Sequence, residues 1–287
     1  MKFALARFFR SVNANLIYIR CFPVFQLLKV MRWVSVQVYK RWKISDREVV
    51  IRNFDRDIEM NLDPRFSMGA ILFWTGFHEV KELLFLHSFL KPPHVVLDVG
   101  ANQGEFSLFT AKRVSAGGVY AFEPLPNMFQ RLSTNIKVNG YQHVKALELA
   151  IGKTDGRLTI VDPSTDNEGV ASAYWNGQTG RRFEVNMRSL DSCWLEFQWP
   201  RVDLIKLDIE GGEWFALQGA RQILETFRPT VLIEFNARSY AAAGYTTADV
   251  DHFLLDLGYQ RYAISKTGKL IVAKTIPDFD NLVYQTK

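Results

Sequence analysis

Residues 95–104 have the sequence VVLDVGANQG, in which a continuous apolar run meets a glycine-rich turn. The residues that follow predict a helix, because Phe106, Phe109 and Val114 mark one buried side and Gly117 and Gly118 stop it. A buried strand, a tight turn and a helix form the first half of a strand–helix–strand unit. The turn therefore lies at the carboxyl end of a strand, where open α/β sheets bind their ligands.

Strands and helices continue to alternate after this turn. Apolar runs and helical spacing predict strands 119–122, 144–151, 204–209 and 230–235, and helices from Pro126 onward, over 214–226 and over 248–257. Such alternation indicates a mostly parallel sheet that is covered on both faces. Two further strands, 259–265 and 269–274, are joined by a turn so tight that they must be antiparallel. We therefore predict an α/β domain over residues 94–287, with a terminal antiparallel hairpin.

The residues before this domain fall into two parts. Residues 46–93 predict a small lead-in, with a hairpin of strands 48–53 and 57–62 and then a helix over 69–90 that two prolines end. Residues 1–45 contain nine basic residues and no acidic one, whereas the rest of the chain contains 26 basic and 30 acidic residues. The net charge of +5 is therefore a property of the N-terminal segment, and the slightly acidic body opposes nucleic acid as a partner.

The basic N-terminal segment, residues 1–45, has three possible roles. Its basic residues are mixed with large apolar ones, as in amphipathic helices that lie on anionic membranes and anchor a protein peripherally. A helical extension that packs on the main domain explains the pattern equally well, and an organelle-targeting presequence is a third interpretation. No apolar run approaches the ~20 residues that a membrane span needs.

Cysteine usage and composition bound the class of protein. The two cysteines, Cys21 and Cys193, lie far apart and in no metal-ligand spacing, so neither a disulfide framework nor a zinc site is expected. Hydrophobic residues make up 48% of the chain, which is enough for one large core. These features favour a globular protein in a reducing compartment such as the cytoplasm.

The turn after the first strand indicates a cofactor without a pyrophosphate. It lacks the Gly-x-Gly-x-x-Gly spacing of a dinucleotide site, and S-adenosylmethionine (SAM) has no pyrophosphate to cradle. Asp98 immediately precedes the turn and is interpreted either as a contact for the amino-acid end of SAM or as a cap of the next helix. Glu123 ends the second strand, 19 residues after Gly104, where an acidic side chain can accept both hydroxyls of a ribose.

Three segments in this order closely resemble the FkbM family of SAM-dependent methyltransferases: residues 96–107, 120–124 and 204–211. The resemblance extends over about residues 78–233 and implies a Rossmann-like class I methyltransferase fold. It also implies O-methylation, commonly of sugars or of hydroxyls on secondary metabolites. The candidate cofactor-binding residues are Asp98, Gly100, Asn102, Gly104, Phe106, Ser107, Glu123, Pro124 and Ala150.

The candidate catalytic residues lie at the end of the strand 204–209. On a strand, Lys206, Asp208 and Glu210 would point to one side, and three ionisable groups on an inner strand are costly if they serve packing alone. An alcohol needs a base or a metal to lose its proton, so Asp208 or Glu210 is predicted to be the base, or both to bind an oxygen-coordinated metal such as Mg²⁺. The alternative is a buried ion pair with Lys206 that only positions the strand.

Further candidates are less specific. Glu234 and Asn236 follow the next strand and are candidates for acceptor binding, and Glu79 for closing the cofactor pocket, whereas His78 is expected at the surface. The polar segment 169–182 contains Tyr174 and Trp175 and is a candidate for sugar stacking or an ordinary mobile insertion.

Three functions fit these observations. The first is methylation of a hydroxyl on a glycan or a small metabolite. The second is methylation of a protein or another macromolecule. The third is a membrane-associated binding protein that keeps the SAM-binding fold without catalysis.

Overall fold

The computed structural model describes residues 2–18, 30–31, 33–38, 41, 48–163, 171–174 and 180–286, and the structural statements below concern these residues. The first elements are the helix α1 (Lys2–Leu16), the strands β1 (Val49–Phe54) and β2 (Ile58–Leu62), and the helices α2 (Ser67–Thr75) and α3 (Val80–Phe89). The predicted hairpin is present, because β1 and β2 pair antiparallel. The single helix predicted over 69–90 is wrong: Gly76, with a φ of +86°, ends α2, and the chain turns before α3 begins.

The α/β part of the chain then begins. Its first half contains β3 (Val95–Val99), α4 (Glu105–Ala111), β4 (Gly118–Phe122), α5 (Pro126–Val138), β5 (Val144–Leu147), β6 (Ala150–Ile151), β7 (Gly156–Asp162), β8 (Arg181–Arg188) and α6 (Leu190–Phe197). Its second half contains β9 (Leu204–Leu207), α7 (Glu213–Gln218), α8 (Arg221–Phe227), β10 (Thr230–Asn236), α9 (Ala237–Ala242), α10 (Thr247–Asp256), β11 (Tyr259–Ile264), β12 (Leu270–Val272) and β13 (Phe279–Thr286).

Eight strands form the central sheet in the order β12-β11-β13-β10-β9-β3-β4-β5. The five strands from β10 to β5 are parallel, which confirms the predicted mostly parallel sheet. The predicted hairpin of β11 and β12 is also present. It does not adjoin β10, however, because β13, which was not predicted, lies between β10 and β11 and is antiparallel to both.

The hydrophobic core lies on both faces of this sheet. Along β3, the side chain of Val96 enters the cluster that also contains the buried residues of α1 to α5, and the side chain of Leu97 enters the opposite cluster under α6 to α10. Leu204 and Ile205 divide in the same way along β9. Burial on both faces explains why these strands are continuous apolar runs and do not alternate with polar residues.

A second, three-stranded sheet of β6, β8 and β7 accompanies the central one. The strand predicted over 144–151 is in fact two strands, since β5 joins the central sheet and β6 joins the small one. The helix predicted over 214–226 is likewise two helices, α7 and α8. The small sheet contributes one wall of the cavity described below, through Leu158 and Ile160 of β7.

Candidate active site

A cavity of about 670 Å³ opens at the carboxyl ends of β3, β4, β9 and β10. It contains most of the residues that the sequence singled out: Gly100, Asn102, Phe106, Glu123, Pro124, Ala150, Lys206, Asp208, Glu210, His78, Glu79, Glu234 and Asn236. Its size lies within the range of pockets that enclose small molecules. Strand ends that are adjacent in the sheet thus bring residues from four separate segments to one site.

Glu123 forms a fixed, buried part of the cavity wall. One carboxylate oxygen accepts the backbone N–H of Asn102 at 2.9 Å, and the other accepts that of Leu125, also at 2.9 Å. Burial raises the pKa of Glu123 to about 7, although the two N–H donors oppose that rise. Each oxygen retains a free lone pair, so the carboxylate can still accept hydrogen bonds from a ligand's hydroxyls.

The turn after β3 touches the end of β9. Gly100 has a φ of +83°, and a Cβ atom at this position would lie 1.9 Å from the backbone oxygen of Asp208. Only glycine permits this approach, because its backbone adopts positive φ without cost and it has no side chain. The contact places the predicted cofactor turn directly beside the predicted catalytic segment.

Asp98 lies at the buried end of β3, immediately before the turn. Its side chain is completely buried, accepts a hydrogen bond from the hydroxyl of Ser107, and lies 3.8 Å from the Nζ atom of Lys206. Asp98, Ser107 and Gly104 do not line the cavity. The carboxylate is thus not part of the cavity lining, and its hydrogen bond to α4 is to the side chain of Ser107. From outside the cavity lining, the negative charge of Asp98 stabilises the Lys206 ammonium group.

Lys206 is a fixed cation. Its ammonium group donates to the backbone oxygen of Gly100 at 3.0 Å and lies 3.1 Å from a carboxylate oxygen of Asp208. Burial by itself would lower the pKa of Lys206, but the carboxylates of Asp208, Asp98 and Glu79 outweigh it and raise the pKa above its usual value. Lys206 therefore stays protonated and cannot accept the proton of an acceptor hydroxyl.

Three carboxylates meet beside this ammonium group. Asp208, Glu210 and Glu234 each offer an oxygen atom within 4.8 Å of the other two. The strand predicted over 204–209 ends earlier, at Leu207, so the acids do not converge by strand alternation. They converge because the chain turns sharply at Glu210, whose φ is +52°, and because β10 brings Glu234 alongside β9.

Burial and then electrostatic repulsion raise the pKa values of Glu210 and Glu234 in this cluster of Asp208, Glu210 and Glu234, which we call the acid triad. Burial and then the neighbouring carboxylates of Asp208 and Glu213 raise the pKa of Glu210 to about 7. Burial and the same kind of repulsion hold the pKa of Glu234 well above its usual range, and its Oε2 atom is buried without a hydrogen-bond partner. A carboxyl group with a pKa near neutrality can accept a proton during a reaction.

Aromatic side chains flank the acid triad. The rings of Tyr174 and Phe215 are stacked, with centroids 5.5 Å apart, and both line the cavity. The hydroxyl of Ser172 donates to the backbone oxygen of Glu210 at 2.6 Å, which ties this segment to the acids. Phe279, the first residue of the unpredicted β13, lines the cavity at its exposed edge. Trp175 and half of the segment 169–182 lie outside the described residues.

Comparison with known proteins identifies the chain. The family model described as the methyltransferase FkbM domain matches residues 98–261, which is more than half of the chain. The chain belongs to the FkbM methyltransferase family. It is thus a SAM-dependent methyltransferase. This membership argues against the interpretation as a non-catalytic binding protein.

Individual relatives of this FkbM methyltransferase are distant. Methyltransferase sdnD of Sordaria araneosa is 24% identical over 47% of this chain and 67% of its own length. The antimetabolite synthetase AmbE of Pseudomonas aeruginosa is 29% identical, and the match spans 55% of this chain but only 9% of that much longer protein. The crystal structure of methyltransferase FkbM from Methylobacillus flagellatus is 16% identical and covers 90% of this chain and 60% of its own, with a TM-score of 0.46.

Glu79 lines one side of the FkbM methyltransferase cavity. Its carboxylate accepts a hydrogen bond from the Asn281 side chain at 3.3 Å, and burial raises its pKa. The neighbouring His78 is exposed, as expected, and its backbone N–H donates to the Glu105 carboxylate at 2.7 Å. Glu105, in the first turn of α4, thus holds this segment against the cavity.

Glu213, which the sequence analysis missed, shapes the turn that carries the catalytic candidates. Its side chain is 1% exposed, and its two carboxylate oxygens accept the backbone N–H groups of Ile209 at 2.7 Å and Gly211 at 3.0 Å. The hydroxyl of Tyr245 donates to the backbone oxygen of Gly211 at 3.0 Å. The signal in the sequence is an acidic residue two positions after a Gly-bearing turn at the start of a helix, where free N–H groups need acceptors.

Replacing Glu213 by Gln is expected to lower the free energy of unfolding by about 1–3 kcal/mol, because the amide nitrogen of Gln would face one of the two N–H groups and leave it without an acceptor. Thermal unfolding measures the loss. Glu225→Gln, an exposed carboxylate paired with Arg221, is the matched control and should change stability by less than about 0.5 kcal/mol. Equal melting temperatures for the two variants would contradict this role of Glu213.

Proposed function

We propose that this methyltransferase transfers the methyl group of SAM to a hydroxyl of an uncharged sugar or small hydroxylated metabolite. The observation that carries the proposal is the acid triad of Asp208, Glu210 and Glu234, which shares one cavity with the Glu123 carboxylate. An alcohol, unlike an amine, must lose its proton to become a good nucleophile, and a carboxylate of the triad can accept that proton.

The cofactor half of the cavity fits SAM. Glu123 presents a buried carboxylate whose two oxygens suit the paired hydroxyls of a ribose, and the glycine turn at Gly100 leaves the backbone open beside it. Ala150 and Pro124 line the same side of the cavity. SAM, when bound, supplies a methyl group on a positively charged sulfur.

The acceptor half lies at the acid triad. The oxygen–carbon bond of the product forms as the carbon–sulfur bond breaks, and the hydroxyl proton passes to Asp208 or Glu210. Lys206 holds the Asp208 carboxylate in place from behind. Among the described residues that line the cavity, only Lys153 and Lys206 carry lasting positive charge, and Lys206 is occupied by Asp208, so an acceptor bearing phosphate would find little compensation near the triad.

The carboxylate oxygens of the acid triad also suit Mg²⁺, which prefers carboxylate ligands and would acidify the hydroxyl of the acceptor directly. Glu234 would then be a third ligand beside the two that the sequence suggested. Assays after treatment with EDTA, with and without added Mg²⁺, separate the two mechanisms. If activity is retained after EDTA treatment, the carboxylates accept the hydroxyl proton without the help of a metal ion.

The acceptor is identified by product analysis. The protein is incubated with methyl-labelled SAM and an extract of the source cell, and the labelled compounds are characterised by mass spectrometry. Label on the oxygen of a sugar or small metabolite supports the proposal, and label on protein or on nitrogen overturns it. A thermal-shift titration with SAM and with NAD checks the cofactor independently, because a ligand of the native state raises the melting temperature.

Glu123→Gln is expected to weaken SAM binding about 10–100-fold at about pH 8, because it removes a charged acceptor of hydrogen bonds. In the unsubstituted protein, Glu123 has a pKa of about 7, so its carboxylate is protonated as the pH falls. The dissociation constant of SAM should therefore rise about tenfold from pH 8 to pH 6, and this pH dependence should be absent from the Gln variant. Calorimetric titration measures both effects; the exposed Glu184→Gln is the control. A pH-independent affinity in the unsubstituted protein would argue against Glu123 as the ribose ligand.

A further inference from the structure

The helix α1 is attached to the body of the protein by one face. Ala6, Phe9 and Ala14 are buried there, and the Asn13 side chain donates to the backbone oxygen of Thr75 at 2.7 Å. Arg10 is also buried, where its guanidinium donates to the backbone oxygen of Phe73 and, at 2.8 Å, to the side chain of Asn53. α1 therefore packs on β1 and α2 of the lead-in.

The opposite face of α1 is open and combines positive charge with aromatic side chains. Lys2 and Arg7 are exposed, and Phe3 and Phe8 are 49% and 56% exposed. Phe3 also contacts the buried ring of Phe73 edge-on, at 5.3 Å between centroids. A helix that uses only apolar residues inward and only polar ones outward needs no partner; α1 instead keeps large apolar groups outside.

The described residues between positions 30 and 41 also include both packed and exposed apolar side chains. Val34 and Val38 pack against the same hydrophobic cluster as the buried face of α1. Val30 and Trp33 are 55% and 64% exposed, and Arg41 is exposed at helical spacing from them. Four of the large exposed apolar side chains among the described residues thus lie within the first 33 positions, in the segment that contains no acidic residue.

We propose that the exposed face of α1, together with Val30, Trp33 and Arg41, binds the surface of anionic membranes while the buried face of α1 stays packed on the rest of the protein. The nine basic residues of the segment complement an anionic lipid surface, and exposed Phe and Trp side chains next to Lys and Arg suit the boundary between lipid headgroups and acyl chains. The body, with its acidic excess, is repelled by the same surface, so attachment is confined to this segment. No helix among the described residues is long and apolar enough to cross a bilayer.

Vesicle co-sedimentation of the full chain tests this proposal without requiring the acceptor. Vesicles of phosphatidylcholine alone are compared with vesicles that also contain phosphatidylglycerol, at low and high salt. We expect binding to the anionic vesicles and release by salt, because the charge contribution is screened. Failure to bind the anionic vesicles, or retention of a short RNA duplex in their place, overturns the proposal.

A pair of double variants locates the contact. Arg7→Glu with Phe8→Ala reverses one exposed charge and removes one exposed ring, and we expect it to reduce partitioning onto anionic vesicles about tenfold or more. Arg157→Glu with Leu195→Ala makes the same kind of change at exposed positions of β7 and α6, and should bind as the unsubstituted protein does. Thermal shift with SAM confirms that both variants are folded. Equal losses in the two variants would show that the effect is not specific to α1 and would overturn the assignment.

Discussion

Replacing Asp208 by Asn and Glu210 by Gln together is expected to slow methyl transfer about 10²–10⁴-fold, which is the range that general-base catalysis contributes. Both substitutions preserve shape and remove the group that can accept the hydroxyl proton. Glu234, the third member of the acid triad, holds its proton too tightly to replace them, because burial and repulsion raise its pKa. The rate is measured as label transferred from SAM to the acceptor fraction of a cell extract.

The affinity for SAM should remain within a few-fold of the original value, because Glu123 and the turn at Gly100 are unchanged. The single variants then show which carboxylate takes the proton. Glu184→Gln with Asp256→Asn makes the same two chemical changes at exposed positions and should leave the rate unaffected. Full turnover by the Asp208 and Glu210 double variant would end the assignment of the acid triad as the reacting end of the cavity.

Gly100→Ala is expected to destabilise the fold by about 3 kcal/mol or more, which corresponds to a fall in melting temperature of about 6–12 °C. The new methyl group would lie 1.9 Å from the Asp208 backbone oxygen, and backbone on both sides leaves no flexible group to move aside. Strain from the positive φ adds about 1–2 kcal/mol. SAM binding should also be lost, since the turn must move away from β9.

Gly244→Ala separates the two causes. Gly244 has a φ of +85°, close to the +83° of Gly100, but a Cβ atom there would meet nothing within 4 Å. This control should therefore show the strain alone, about 1–2 kcal/mol. If the two alanine variants were equally stable, the close contact between the cofactor turn and β9 would not be real.

Much of the central sheet could be predicted because its strands are buried on both faces. Val95–Val99 and the other inner strands are continuous apolar runs, which stand out in the sequence. β8 and β13 do not, because charged and polar residues interrupt their apolar ones. The position of β13 between β10 and β11 depends on pairing between distant segments, which no local pattern encodes.

The candidate site was predictable where residues follow strand ends, and less so where tertiary register decides. Glu123 and Asp208 line the cavity as expected because parallel strands end at one edge. Asp98 does not line the cavity, because its buried carboxylate lies beside Lys206 and accepts a hydrogen bond from Ser107. Glu213 was missed because its partners are the N–H groups of a turn whose shape exists only in the folded chain.

The place of β13 in the sheet also governs the order of assembly. β11 is separated from β10 by a strand that is synthesised after both of them, and every hydrogen bond between the β11–β12 hairpin and the rest of the sheet passes through that strand. The β11–β12 hairpin therefore cannot pair with the sheet until the segment Phe279–Thr286 has emerged from the ribosome. Closure of this side of the sheet therefore follows the synthesis of β13, and a nascent chain interrupted before that point would expose the unpaired edge of β10, which invites aggregation.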